Sequence, residues 1–219
     1  IIADFVPNHC YESHPFFTDA AACQKSPYRK WFFFKDKGKG YKSFLSYSIL
    51  PKFNLKYKPA AEYMYGIAEK LIKMGIDGLR VDHALGVPMS FLKELRNRVH
   101  NINPEAVVIG EVWQCNITRE FFNILYFRNI FYRIYYYIFG IKQESLQLSY
   151  KNILDSVLDF EFRNIMLNEI ESGGGIEGNR ILEKKLEKHF ARYSKSGLVP
   201  MLFLDNHDTD RILFKCGQD

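Results

Sequence analysis

A chain of 219 residues is long enough for one large domain or for part of a larger one, and 47% hydrophobic residues support a sizeable core, which excludes disorder. The net charge of +5 is mild for this length and the lysines are spread rather than striped, so no nucleic-acid partner is expected. The four cysteines, Cys10, Cys23, Cys115 and Cys216, have neither metal-ligand spacing nor a dense disulfide pattern, which fits free thiols in a reducing compartment. The chain opens on Ile1, inside an apolar strand pattern and without a signal peptide. A cytoplasmic location is the expectation, and any leader would lie upstream of Ile1. The most apolar long stretch, around Phe121 to Ile141, carries Arg128 and Arg133, with Arg119 just before it. Such interruptions exclude a membrane span.

Ile1 to Val6 has the pattern of a strand stopped by Pro7, with Asn8 and His9 beyond its C-terminal end. From Cys10 to Pro59 runs a long segment without clear periodicity, rich in aromatics and Lys and punctuated by Pro15, Pro27, Pro51, Gly38 and Gly40. It is too long for an ordinary connection, so it is expected to be an inserted subdomain or a functional loop. Trp31 to Phe34 would form a short strand there, with Phe32 to Phe34 in a local mini-core. Pro59 opens a helix in which Met64, Ile67, Ala68, Leu71 and Ile72 recur at helical spacing, and Gly75 caps it. Ile76 to Asp82 follows as a strand ending in charge. Pro88 opens the next helix, with Phe91, Leu92, Leu95 and Val99 on one face. Ala106 to Gly110 is a continuous apolar run, the mark of a strand buried on both faces, and it ends at Glu111 with Trp113 nearby. The aromatic-rich segment up to about Tyr150 is expected to be helical with an interruption at Gly140. Ser156 to Phe160 should be a strand, and helices should span Glu161–Glu171 and Arg180–Tyr193 on either side of a flexible Gly173–Gly175 linker. Val199 to Leu204 should be a buried strand, closed by Asp205, Asn206, His207 and Asp208.

Strands that alternate with helices, and are themselves apolar runs, imply parallel βαβ units. Charged or polar groups gather at the C-terminal ends of four of the five expected strands. In an α/β barrel that rim carries the active site. An open doubly wound sheet would usually bring a glycine-rich phosphate loop after its first strand, and none is present. Arg80 and Asp82, two apart, fall on one face of their strand, and the cation favours the ionised carboxylate. That stretch alone is equally a structural ion pair. Glu111, leaving an apolar strand, would have its pKa raised by desolvation, as a general acid needs. Asp82, Glu111 and Asp208, at the ends of three of these strands, resemble the carboxylate set of glycoside hydrolysis, with His9 and His207 placed to bind sugar hydroxyls and Trp113 to stack on a sugar face. There is no H-E-x-x-H, no Cys cluster and no nucleophile elbow.

Four stretches carry a family resemblance: D-F-V-P-N-H at Asp4 to His9, G-L-R-V-D-H at Gly78 to His83, G-E-V-W at Gly110 to Trp113, and F-L-D-N-H-D at Phe203 to Asp208. In order and spacing they resemble the four short motifs of the α-amylase family, glycoside hydrolase family 13. Leu50 to Asn54, L-P-K-F-N, is similar to the motif of that family's inserted domain B and leans toward its neopullulanase and cyclomaltodextrinase members. The resemblance implies an α/β fold, a partial (β/α)8 TIM barrel with a small inserted domain B after its first visible strand. The barrel would take residues 1–9 and 60–219, and domain B residues 10–59. It implies that Asp82 is the nucleophile, Glu111 the general acid/base and Asp208 the transition-state stabiliser. Arg80 would hold the nucleophile, and His9, Trp113, Asn206 and His207 would contact substrate; His83 would either hydrogen-bond substrate or pack behind the site. The expected activity is retaining hydrolysis of α-1,4-glucosidic bonds in starch, glycogen or maltooligosaccharides. Transglycosylation is the alternative within enzymes, and a catalytically dead binding subunit the alternative outside them; the three retained acids argue against the latter.

The chain departs from the family pattern in two ways. The Lys-His pair that many members carry after the nucleophile is replaced by Leu85 and Gly86. That bears on product pattern and on a structural calcium, for which Asn8 and the Gly86 carbonyl are the candidates, with Asn8 equally placed to cap the loop instead; the chemistry itself would require no cofactor. In addition, five strands do not close an eight-stranded barrel, so the chain is expected to be part of a longer one.

Overall fold

The computed structural model describes residues 1–35, 40–45, 47–113, 143–171 and 176–215. The Gly140 interruption, the Gly173–Gly175 linker, Cys115 and Cys216 lie outside them.

Helix α2, Lys58–Lys73, shows how the local sequence sets the elements. Pro59 sits in its first turn, where a missing N–H costs nothing, and Lys70 and Lys73 lie in its last turn, where cations suit the helix dipole. Gly75 then takes a φ of +94°, the left-handed conformation that releases the chain into the next strand. Met64, Ala68 and Ile72 are buried on the inner face. Helix α3, Met89–Ile102, buries Phe91, Leu92, Leu95 and Val99 in the same way. The two helices are clamped together by Arg98, which reaches Glu62, Glu69 and Glu94 and lies over the Tyr65 ring.

Strands β1 (Ile2–Phe5), β4 (Gly78–Val81), β5 (Val107–Gly110), β6 (Ser156–Leu158) and β7 (Val199–Met201) form one parallel sheet in the order β1-β4-β5-β6-β7. Apart from the β1-to-β4 step, spatial order follows chain order, as in the wall of an α/β barrel. The register places Asp4 beside Arg80, and Val81 beside Gly110. All five strands therefore end on the same rim. The remaining helices are α4 (Gln143–Leu148), α5 (Phe160–Glu171), α6 (Ile176–Ser196) and α7 (Ile212–Lys215).

Several expected boundaries shift. The strand expected at Ser156 to Phe160 ends at Leu158, because Asp159 caps α5 by accepting the Phe162 N–H. The last strand stops at Met201 and is not buried, since Val199 is 66% exposed. Among the described residues β6 is the strand paired with it, and Val199 and Met201 are exposed.

The segment between β1 and α2 is more ordered than its lack of periodicity suggested. It holds helix α1 (Pro15–Ala22), a 3-10 turn at Arg29–Trp31 and an antiparallel pair, β2 (Ser43–Phe44) with β3 (Tyr47–Pro51). Trp31 to Phe34 is that turn plus two isolated bridges, not a strand. Phe17, Phe32 and Phe53 are buried together, with Phe32 stacked on Phe53 at 4.8 Å, and they are continuous with the main core that holds Phe5, Leu79 and Val81. On its return the segment is tied to the chain leaving β1. Cys10 N–H donates to Pro51 O, Phe53 N–H donates to Asn8 O, and His9 bridges Lys52.

Candidate active site

Arg80 is the hub of the rim. Its side chain is 12% exposed, and its Nη1 donates to Asp4 Oδ1 and to Asp82 Oδ1, each at 2.8 Å. Nη2 lies 2.5 Å from Glu111 Oε1, a charge contact without hydrogen-bond geometry, and 3.8 Å from Asp208 Oδ2. Three structural reasons bring these groups together. Parallel register sets Asp4 beside Arg80, the two-residue strand period sets Asp82 on its face, and β5 delivers Glu111 one position beyond Gly110. Burial alone would weaken the guanidinium cation. The hydrogen bond to Asp4 and the fields of Glu111, Asp4 and Asp82 outweigh it and raise its pKa.

Glu111 is 7% exposed, and burial pushes its carboxyl above the usual carboxylate range. The His83 N–H, donated to Oε2 at 3.0 Å, and the Arg80 cation work against that shift, while Asp82 and Asp208 add to it. His83 is held in the left-handed region, with φ of 41°. A non-glycine residue there costs about 1–3 kcal/mol. The surroundings enforce it: the next residue, Ala84, donates its N–H to Glu111 O while His83 donates to the Glu111 side chain, so both ends of the acid are gripped by one turn.

His9 and His83 form the wall facing these acids. The His9 ring stacks on Phe44 at 4.4 Å, and the Phe44 ring meets His83 edge-on at 4.6 Å. Burial lowers the pKa of both imidazoles. For His9 the Asp82 charge opposes this and Lys52 reinforces it; for His83 Lys52 and His9 both add to it, taking the value to about 3. Both rings are therefore neutral near pH 7, each able to donate and accept one hydrogen bond. Beyond them a cavity of about 820 Å³ opens between the β2–β3 pair and the loop after β4. That lies within the ~300–1,000 Å³ of small-ligand sites. His83, Phe44 and Leu85 line it, but Asp82, Glu111 and Asp208 do not.

The other expected residues are placed as follows. Trp113 is 40% exposed, and one face of its indole stacks on Phe160 at 5.4 Å. Asp208 and His207 are exposed neighbours, with Nε2 3.1 Å from Oδ2. Asn206 directs its Oδ1 to the Asp208 N–H and so shapes the turn that carries Asp208. Asn8 is buried, its Nδ2 3.2 Å from His9 Nδ1 and its Oδ1 without a hydrogen-bond partner. A Cβ on Gly86 would come within 2.7 Å of that oxygen and 2.5 Å of the His83 ring, so only glycine fits there. The Gly86 carbonyl accepts a hydrogen bond from Lys52 Nζ at 2.8 Å. Calcium takes roughly six to eight oxygen ligands, usually with carboxylates among them. The described residues here offer a neutral amide oxygen and a carbonyl already bound by an ammonium, and no group of three or more His, Cys, Asp or Glu able to hold a metal is found among them. That donor set does not fit a divalent ion.

Three residues belong to the site that sequence reasoning did not assign. Asp4 lies within the first motif and would have followed from pairing β1 in register with β4. Lys52 lies within L-P-K-F-N, but nothing in that run indicates which carbonyl it reaches. Phe44 carried no signal.

The model of the alpha amylase catalytic domain matches residues 39–219. Among curated relatives, neopullulanase 2 of Thermoactinomyces vulgaris is 26% identical over 99% of this chain and 33% of its own length, and a cyclomaltodextrinase of a Bacillus species is 28% identical over 100% and 36%. Among solved structures, the type III pullulan hydrolase of Thermococcus kodakarensis is 29% identical, with a TM-score of 0.73 over 99% of this chain and 34% of that one. A cyclic alpha-maltosyl-(1→6)-maltose hydrolase of Arthrobacter globiformis, 20% identical with a TM-score of 0.77, shares the fold. The chain spans about a third of the length of the two curated relatives. With the Arg80-centred rim at the ends of its parallel strands, the chain belongs to the alpha-amylase catalytic-domain family.

Proposed function

We propose that the protein carrying this chain is a retaining glycoside hydrolase that cleaves α-1,4-glucosidic bonds in starch-type glucans or maltooligosaccharides. The observation that supports this reading best is one guanidinium in contact with both Asp82 and Glu111. Two carboxyl groups on a single planar fork lie close to one another, which suits the ~5–5.5 Å separation of a retaining pair. The Asp82 carboxylate attacks the anomeric carbon as Glu111, its pKa raised by burial, gives its proton to the leaving oxygen. This yields a glycosyl ester on Asp82. Glu111, now ionised, takes a proton from water, whose oxygen attacks the same carbon and releases Asp82. Asp208 places negative charge beside the oxocarbenium-like transition state, and neutral His9, with His207, hydrogen-bonds the sugar hydroxyls. The double displacement needs no cofactor.

The names of the relatives, which include a neopullulanase, a cyclomaltodextrinase and a pullulan hydrolase, support an α-glucan as substrate. The test is to incubate the full-length protein with maltoheptaose, soluble starch and pullulan and to follow the anomers by NMR. The α-anomer should appear first. First appearance of the β-anomer would refute retention, no cleavage of any of the three would refute the substrate class, and products longer than the starting maltoheptaose would assign transglycosylation instead.

A further inference from the structure

We propose that Lys52 is the structural cation of the active-site wall: its ammonium, in place of any divalent metal ion, ties the loop after the nucleophile strand to the segments leaving β1 and β3. Three chain segments meet here. Asn8 follows β1, Lys52 follows β3, and Gly86 ends the 3-10 turn after β4. The first two are joined backbone to backbone, by the His9–Lys52 bridge and by Phe53 N–H to Asn8 O at 3.0 Å. The third is reached through Lys52 Nζ, which donates to Gly86 O at 2.8 Å. The Asn8 side chain lies beside Gly86, its Oδ1 buried and without a hydrogen-bond partner, and the Lys52 ammonium is the cation that the Gly86 carbonyl receives.

The wider surroundings fit one intramolecular cation and not a metal. The cavity beside Gly86 is lined by Lys35, Lys42, Lys52 and Lys56, and among the described residues no Asp or Glu lines it. A divalent ion entering there would meet the Lys52 ammonium already on the Gly86 carbonyl, and no carboxylate among the described lining residues. Burial and the neighbouring Lys42 press the Lys52 pKa down to about 8, still protonated at pH 7. The field of Lys52 in turn disfavours protonation of His9 and His83. Lys52 is thus a positioning residue. It fixes the turn whose His83 N–H grips Glu111, and it helps keep the two imidazoles neutral.

The test needs no assay of activity, so it stands or falls apart from the hydrolase reading. Thermal unfolding of the full-length protein is followed for wild type, Lys52→Met, Lys52→Arg and Asn8→Ala, each with EDTA and with added calcium chloride. Lys52→Met should lower Tm by about 4 °C or more. Calcium should not restore it, while Lys52→Arg, which keeps a cation, should recover most of the loss. Any calcium response of the wild type should persist unchanged in Asn8→Ala. The proposal is overturned by a Lys52→Met protein as stable as wild type, by restoration of Lys52→Met with calcium, or by a wild-type calcium response that Asn8→Ala abolishes. If Lys52→Met does not fold at all, the Asn8→Ala comparison still decides between ammonium and metal.

Discussion

Replacing Arg80 with Gln removes the cation and keeps most of the side-chain volume. Arg80 is 12% exposed, as against 20% for the Asp82 side chain and 9% for Glu111, while Asp4 and Asp208 are 51% and 46% exposed. The two exposed partners are screened by water and contribute little. The cost therefore comes from stranding Asp82 and Glu111, and breaking a buried pair costs about 3–5 kcal/mol. Because Asp82 is not fully buried, the low end applies, about 3 kcal/mol. Urea unfolding of Arg80→Gln should show that loss in ΔG with an unchanged m-value. The kcat should fall by about 10²–10³, the usual penalty for removing a preorganised charge partner. A separate signature follows from Glu111. Arg80 lowers its pKa, so without the guanidinium the alkaline limb of the pH–rate profile should move to higher pH. Wild-type stability and kcat in Arg80→Gln, or an alkaline limb that moves to lower pH, would refute the account of Arg80 as the common holder of the acids.

Other outcomes are expected. Asp82→Asn should cut kcat by several orders of magnitude while leaving the unfolding midpoint close to wild type, as read by initial rates on maltoheptaose and by calorimetry. In the wild type, activity should hold as pH rises past the ordinary carboxylate range and fall only above it, because Glu111 keeps its proton longer than an exposed glutamic acid; a bell-shaped kcat/KM profile checks this. Gly86→Ala should destabilise the protein by about 1–3 kcal/mol, since the new methyl meets Asn8 Oδ1 and the His83 ring, as measured by urea titration. Trp113→Ala should raise KM for oligosaccharides by about tenfold with a smaller change in kcat, in keeping with the ~1–1.5 kcal/mol of a lost aromatic contact.

The barrel wall was legible because its elements bury regular faces. The helical spacing of Met64, Ala68 and Ile72 and the unbroken run Ala106 to Gly110 each left a single reading, and both elements formed with boundaries moved by a few residues. Helix α1 was not legible. Its N-cap is His14, whose ring accepts the Phe16 N–H, and eight residues are too few to show a period. The exposure of Val199 was hidden for another reason. An apolar run reports β propensity, whereas burial depends on which strands lie alongside. Within the site, strand ends and the two-residue period brought Arg80, Asp82 and Glu111 into view. The contacts that shape them did not show, because His83 N–H to Glu111 and Lys52 to Gly86 span 28 and 34 residues and depend on a left-handed turn and on the fold of the insertion. Asn206 showed as a polar residue at a strand end, and its hydrogen bond to the Asp208 N–H lay beyond what pattern reading reaches.

The order of the sheet has a consequence for how the rim is assembled. Among the described strands β1 pairs with β4, and Asp4 meets Arg80 across 76 residues of chain, most of them in the inserted segment. Doubling a flexible loop costs only about 0.6 kcal/mol, so this separation scarcely weighs on the equilibrium. It weighs on the rate, because non-local pairing is slow to find. An insert in which Phe17, Phe32 and Phe53 pack on one another, and Cys10 N–H donates to Pro51 O, brings the ends of that long excursion together and leaves a short tether to close. The molecule would then acquire its acids in sequence. Asp82 and Glu111 come with the β4–β5 pair, and Asp4 and His9 arrive only when the splinted strand docks, so a chain halted before that step has Asp82 and Glu111 and lacks the wall that aims them.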